Sequence, residues 1–326
     1  STVALEVSSH SLVQRRIAGL QVDTAVFTNL SRDHLDYHGD LASYAAAKAR
    51  LFAMTDLKNA VINIDDSIGR LILANLDPNI RAITYSIEAQ EEGGTADIYC
   101  RTIGLSPEGL RAAIHTPWGE RELRSPLLGK FNLANLLAVI GAAIAQGFAL
   151  EDILNAVPKL RAVSGRMELV DAGASPSVVV DYAHTPDALE KALQALRVHC
   201  HGKLWVVFGC GGDRDIGKRA EMGTIAETCA DQVVITSDNP RSEDPQQIIN
   251  QIVQGTSREV IVDSDRRAAI RQAILAADKN DVVLIAGKGH EDYQILGAQR
   301  LPFSDQGEAR LALRAREALD LNGDLA

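Results

Sequence analysis

The sequence predicts an α/β protein of two domains, each a mostly parallel sheet covered by helices. Three observations predict it. From residue 177, strands at about 177–181, 203–208, 232–237, 259–262 and 281–286 alternate with helices at about 187–198, 217–229, 246–255 and 265–277, a pitch that implies a parallel sheet wrapped by helices. The chemically unusual residues fall almost entirely in the loops after those strands. The length of 326 residues suits about two domains, and Pro158 to Gly165 reads as the link, giving domains at 1–163 and 164–326.

The N-terminal half opens on Val3-Ala-Leu-Glu-Val7, an apolar run read as a strand, followed by the polar loop Ser8-Ser-His-Ser11 and a short helix from Leu12 to Ala18. Glu6 interrupts the strand, and an isolated acid there is an edge residue facing water, a metal ligand or a base. Ser1 leads almost directly into this strand without an initiator Met, which predicts a chain that starts inside a larger protein. Ala25-Val-Phe-Thr-Asn29 reads as a buried strand, so Asp33, His34, Asp36 and His38 sit on a loop at a strand's C-terminal end, where open α/β sheets bind ligands.

Leu41, Tyr44, Ala45, Lys48, Leu51 and Phe52 share one face of the next helix. Lys48 therefore lies on an apolar stripe. Two readings stay open: a lysine that runs its stem along apolar surface and its ammonium to water, or a lysine turned toward the loop before it. Ala60-Val-Ile-Asn-Ile64 is a further strand, and residues 65–128 read as shorter α and β pieces with Pro107 and Pro117 in turns. Gly129-Lys-Phe-Asn-Leu-Ala-Asn-Leu-Leu-Ala138 opens a long Ala-rich helix on which Asn132 and Asn135 share a face, to cap the helix or to grip a ligand. A second helix covers about 149–157.

Hydrophobic residues make up 46% and charged residues 23%, enough for a sizeable core. The formal net charge of -10 argues against non-specific nucleic-acid binding and against an anionic membrane surface. No apolar run approaches membrane-spanning length and no signal peptide is visible. Cys100, Cys200, Cys210 and Cys229 lack metal-ligand spacing, which predicts reduced packing residues in a cytoplasmic protein.

The loops carry the chemistry. Gly212-Asp-Arg-Asp-Ile-Gly-Lys-Arg219 nearly matches GxxxxGK[ST], but Arg219 replaces the Ser/Thr that would hold Mg²⁺, so it is not a true P-loop. Its glycines permit close approach to a ligand, and Arg214, Lys218 and Arg219 can attract an anion. Ser237-Asp-Asn-Pro-Arg241 suits a zwitterion, Asp238 facing an ammonium and Arg241 a carboxylate; the alternative is a Pro-stiffened turn with solvated charges. Gly287-Lys-Gly-His-Glu291 adds a flexible turn with a cation and an acid. Glu6, Asp33, His34, Asp36 and His38 could ligate Mg²⁺, Mn²⁺ or Zn²⁺, and the run Asp33, His34, Asp36 and His38 alone suggests a metal-dependent hydrolase. Lys48 joins such a set only if it loses its charge, for example as a carbamate.

Glu6-Val-Ser-Ser-His-Ser-Leu12, Thr28-Asn-Leu-Ser-Arg-Asp-His-Leu-Asp-Tyr-His-Gly39, Lys48-Ala-Arg-Leu-Phe52, Gly129-Lys-Phe-Asn-Leu-Ala-Asn135, Gly165-Arg-Met-Glu168, Asp181-Tyr-Ala-His-Thr-Pro-Asp187 and the Gly-rich loops, in that order, resemble the ATP-dependent Mur ligases. The resemblance is closest to the members that add the third peptide residue. It implies most of a central ATPase domain followed by a Rossmann-like C-terminal domain. It also implies amide formation through an acyl phosphate, with ATP and Mg²⁺, joining meso-2,6-diaminopimelate to UDP-N-acetylmuramoyl-L-alanyl-D-glutamate in peptidoglycan synthesis, by a monomer.

By the same resemblance Glu6 and His34 match metal ligands, and Lys48 matches a carbamylated lysine that helps hold the metal. Ser8, Gln14 and Arg16 match contacts to the UDP-muramoyl dipeptide. Asn132, Asn135, Arg166, Asp181, Tyr182 and His184 match positions around the nucleotide. Asp238, Asn239, Pro240 and Arg241 resemble the diaminopimelate motif, with Arg241 on the distal carboxylate that lysine lacks, and Arg214, Gly287 and Glu291 match further contacts to the amino acid. The chain departs from the family in lacking its UDP-binding domain and its P-loop, so the fragment alone is expected not to turn over. Alternatives are a metal-dependent hydrolase, a non-catalytic amino-acid-binding module, and a folylpolyglutamate synthetase, from which the Ser237–Arg241 loop argues away.

Overall fold

The computed structural model describes residues 2–30, 35–88, 96–171 and 174–323. The chain divides into two units, Ser1–Gly104 with Arg111–Arg124 and Lys130–Pro158, and Leu105–Leu110 with Ser125–Gly129 and Lys159–Ala326.

The first unit is laid down as α1 (Ser9–Val13), β1 (Thr24–Phe27), α2 (Leu35–His38), α3 (Leu41–Ala49), β2 (Asn59–Asn63), α4 (Ser67–Ala74), β3 (Arg81–Ser86), β4 (Ile98–Ser106), β5 (Gly109–His115), β6 (Arg121–Ser125), α5 (Lys130–Ala145) and α6 (Leu150–Ala156). Its sheet follows chain order, β1-β2-β3-β4-β5-β6, and β1 to β4 pair in parallel. β2 is buried at every position, as a strand covered on both faces must be. On one side Phe27, Phe52, Ile62, Ile72 and Tyr99 form the core. α5 lies on β1, β2 and β3 with Leu133, Leu137, Ile140 and Ile144 buried.

The expected strand over Val3–Val7 is absent. Residues 2–8 carry no secondary structure, and Val3 and Leu5 are 86% and 61% exposed. A β-prone run becomes a strand only where a neighbouring edge takes up its hydrogen bonds, and here none does among the described residues. The helix expected over Leu12–Ala18 starts and ends earlier, at Ser9–Val13, and Arg15 turns the chain at φ 55°.

In the second unit β7 (Glu168–Val170), β8 (Ser177–Asp181), α7 (Pro186–Arg197), β9 (Leu204–Phe208), α8 (Gly217–Cys229), β10 (Gln232–Ile235), α9 (Pro245–Val253), β11 (Ile261–Val262), α10 (Arg266–Ala276) and β12 (Val282–Ala286) follow in order. A hairpin of β13 (Tyr293–Leu296) and β14 (Gln299–Pro302), then α11 (Asp305–Gly323), close the unit. The sheet order is β11-β10-β9-β12-β8-β7, parallel except for β7, which runs antiparallel to β8. Alternation divides its side chains between two cores. Val179, Val206, Phe208 and Leu284 pack with Leu193, Met222 and Ile249 on one face, while Val178, Val180, Val207 and Ile285 pack with Ile270, Ile274 and Leu313 on the other.

That order matters for function. β10, β9, β12 and β8 are consecutive neighbours, so the loops leaving their C-terminal ends emerge side by side. Ligands bind at this edge of open α/β sheets.

Candidate functional site

In the first unit, Ser8 caps α1, its Oγ accepting the Ser11 N–H at 3.1 Å. The helix carries His10 to Tyr37, with ring centroids 4.0 Å apart, and Ser9 Oγ lies 2.9 Å from His38 Nε2. His38 stacks on Tyr44 at 5.1 Å, and the Lys48 ammonium lies 5.4 Å from the Tyr44 ring centroid. The result is a ladder of rings with Lys48 at one end, half-buried rather than free in solvent. Gln14 donates to the Tyr37 hydroxyl at 3.4 Å, and Arg16 is exposed.

Magnesium takes oxygen ligands. Glu6 offers an exposed carboxylate, and Lys48 fits such a donor set only as a carbamate, because an ammonium repels a cation. Among the described residues no three His, Cys, Asp or Glu side chains come together as a metal site. Asp33 and His34 lie outside the described residues, as does the side chain of Asp36. Asn132 and Asn135 face each other in the first turns of α5, Asn135 Nδ2 donating to Asn132 Oδ1 at 3.5 Å.

The second unit brings its predicted residues into two neighbouring groups. In the first, antiparallel β7 starts where β8 ends, Glu168 pairing Val180, and so delivers Arg166 beside the β8 loop. The Arg166 guanidinium stacks over the Tyr182 ring at 4.7 Å, and Tyr182 meets His184 edge-on at 4.6 Å. Lys218 donates to the His184 carbonyl at 2.8 Å. Asp181 accepts the backbone N–H groups of Met167 and Ala183, both at 2.8 Å, and burial raises its carboxyl against the pull of those bonds. His290, which sequence reasoning did not single out, adds a third ring 5.6 Å from Tyr182.

The second group is the Asp238–Arg241 loop after β10. Asp238 is buried, and burial pushes its carboxyl up while Arg266 and Lys288 pull it down. Its Oδ2 packs on Gly287, where a Cβ would come within 2.6 Å at a backbone φ of +118°, so only glycine serves there. Asn239 Nδ2 donates to Glu291 Oε2 at 2.8 Å. Arg241, at φ 52°, donates through Nη1 to the Gly212 carbonyl at 2.7 Å. No carboxylate pairs with it among the described residues. Pro240 presses its carbonyl on Gly212, where a Cβ would sit 1.9 Å away. Arg214 is exposed at the rim.

Two expectations are corrected. Arg219 cannot attract an anion: it is wholly buried and held bidentately by Glu243 at 2.8 Å, which pulls the Glu243 carboxyl down to about 2. Arg219 instead ties α8 to the Gly211 carbonyl at 3.3 Å. The Gly287–Glu291 segment is no loose turn, since Gly287, Lys288 and Gly289 are all buried. Beneath both groups, buried Arg266 forms a two-pronged pair with Asp305 at 2.8 Å and reaches the Ser237 and Ala286 carbonyls at 3.3 and 2.9 Å, so it holds the roots of two site loops. The signal for Arg266 was absent from the motifs, because its partner lies 39 residues on.

Residues 1–143 match the Mur ligase middle domain, and residues 165–289 match the Mur ligase glutamate ligase domain. A UDP-N-acetylmuramoyl-L-alanyl-D-glutamate–2,6-diaminopimelate ligase of Pseudomonas putida is 51% identical over 325 residues, covering 97% of this chain and 65% of its own. The ligase of that name from Coxiella burnetii is 48% identical over 313 residues, covering 95% of this chain and 64% of its own. A solved structure of a ligase of that name superposes with a TM-score of 0.77 at 44% identity, over 95% of this chain and 64% of that one. The chain thus spans just under two thirds of the length of the relatives it matches. With both of its units matched in order, the chain belongs to the Mur ligase family.

Proposed function

We propose that the protein to which this chain belongs joins meso-2,6-diaminopimelate to UDP-N-acetylmuramoyl-L-alanyl-D-glutamate at the expense of ATP, in the cytoplasm. The observation that carries this reading is Arg241, a guanidinium without a carboxylate partner among the described residues, set beside Glu291, which suits the ammonium of an amino acid, and Asn239, whose amide N–H group suits its carboxylate. The relatives' diaminopimelate ligase names support it.

The reaction balances in two steps. The substrate's carboxylate attacks the γ-phosphorus of ATP and ADP leaves, giving an acyl phosphate. The free amine of diaminopimelate then attacks the acyl carbon, phosphate departs, and the amine proton is lost to solvent or base. Arg166 and Lys218 supply positive charge for phosphates, and the Tyr182 and His184 rings a face for a base. Asn132 and Asn135 are assigned to the nucleotide, and Ser8, Gln14 and Arg16 to the UDP-muramoyl dipeptide. Arg214, Asp238, Pro240 and Gly287 complete the amino-acid site. Glu6, His34 and carbamylated Lys48 would hold Mg²⁺, which when bound screens phosphate charge.

ADP release by the protein at its full natural length tests this. It should require both the muramoyl dipeptide and diaminopimelate, and Arg241→Ala should raise KM for diaminopimelate roughly 100-fold. ADP release indifferent to the amino acid, or equal use of L-lysine, would refute it.

A further inference from the structure

Lys288 is wholly buried, a costly place for an ammonium unless acceptors hold it. It donates to Asn239 Oδ1 at 3.0 Å and to Glu291 Oε2 at 3.2 Å, and lies 5.5 Å from the Tyr293 ring centroid. Asn239 Oδ1 also accepts the Ile295 N–H at 3.0 Å. Both lone pairs of that oxygen are therefore used, and the amide cannot turn over. Its NH₂ group must point the other way, where it donates to Glu291 Oε2. Glu291 Oε2 thus receives two donors, one charged. Glu291 Oε1 accepts no hydrogen bond among the described residues, and the side chain is 19% exposed.

From this geometry, and resting on the amino-acid site read above, we propose that Lys288 is a positioning residue that sets the polarity of that site. It locks the Asn239 amide with its N–H side toward Glu291 and anchors Glu291 by one oxygen. The other oxygen is left aimed outward for the ammonium of the incoming amino acid. Lys288 does not touch the substrate. It decides which groups do.

The test is Lys288→Met in the full-length protein, followed by ADP release. KM for meso-diaminopimelate should rise roughly 10-fold or more, while kcat at saturation and KM for ATP stay within about twofold. A strut that merely holds the fold would move all three. Because Lys288→Met leaves Glu291 partly buried beside an apolar group, Lys288→Met/Glu291→Gln is the second variant, removing both charges together. Against Glu291→Gln alone, the added Lys288→Met should change KM for diaminopimelate by less than about twofold, since the two act as one unit. An unchanged KM in Lys288→Met, a parallel rise in KM for ATP, or additive effects in the double variant would overturn the inference alone. An unsubstituted protein without diaminopimelate-dependent turnover would remove the proposed function and this inference with it.

Discussion

The candidate site residues at the start of the first unit and those of the second unit are held in opposite ways. In the first unit Glu6, Ser8, Gln14 and Arg16 are exposed, and their one long-range hydrogen bond among the described residues is that from Gln14 to Tyr37. In the second, Asp238, Asn239 and Lys288 are buried and cross-linked, and buried Arg266 and Arg219 brace the loops from behind. The difference follows from topology. The residues of the second group lie in loops that leave neighbouring parallel strands, and crowded loops must satisfy one another's polar groups. The first unit does the same farther along its own parallel strands, where Asp66 accepts the Leu30 N–H, Asn63 donates to the Thr28 carbonyl and Asp65 accepts from Ser86 and Ile87. The start of the first unit has no sheet partner among the described residues and remains solvated. Asn239, Lys288 and Glu291 are held by hydrogen bonds to one another, whereas Glu6 and Arg16 face solvent.

The sharpest way to break this contrast is to remove the brace. Arg266→Met should destabilise the second unit by about 3–5 kcal/mol, because Asp305 is left charged and unpaired in the interior. Urea denaturation would read it, and Arg266→Met/Asp305→Leu should regain most of the loss. A single-variant cost below about 1 kcal/mol would mean that the loop roots are held by something else.

A smaller effect sharpens the same point through pH. His199 is wholly buried, its Nε2 accepting the Gly129 N–H at 2.8 Å and its Nδ1 donating to the Ser106 carbonyl at 2.6 Å. Burial lowers its pKa, so the folded state favours the neutral ring. The sign follows: the unfolded chain takes up the proton first, and stability present above the ordinary histidine value of about 6.5 is lost as pH falls below it. A protonated ring cannot accept from Gly129, so about 1 kcal/mol should go between pH 7.5 and 5.5, read as a falling melting temperature. His199→Gln, which accepts without titrating, should flatten this slope; an unchanged slope would acquit His199.

The smallest effect belongs to the first unit. Ser8→Ala removes one exposed cap from a five-residue helix and should cost no more than about 0.5–1 kcal/mol by thermal melting. A cost as large as that of Arg266→Met would erase the contrast.

The fold is most legible in the sequence where the pattern is periodic. The strands β8, β9, β10 and β12 and the helices α7 to α10 were legible because buried β-branched runs alternate with amphipathic segments, and turn residues mark every boundary. Val3–Val7 misled because propensity is local whereas a strand needs a neighbour. Arg219 misled for a related reason: within its own loop it looks like an anion hook, and only the fold brings Glu243 against it. The candidate residues of the second unit were visible as loop motifs. What organises them was not, since Lys288 reaches Asn239 across 49 residues and Gln294 donates to the Asp238 carbonyl across 56. β7 was missed because three residues running against the sheet carry no periodic signal, yet it is β7 that delivers Arg166 to Tyr182.

The most direct measurement is calorimetric titration of this chain with meso-diaminopimelate and with L-lysine, with Arg241→Ala alongside. The amino-acid site proposed for the second unit predicts saturable binding of diaminopimelate, little or none of lysine, and loss of the signal in Arg241→Ala. Lysine bound as tightly as diaminopimelate would contradict it.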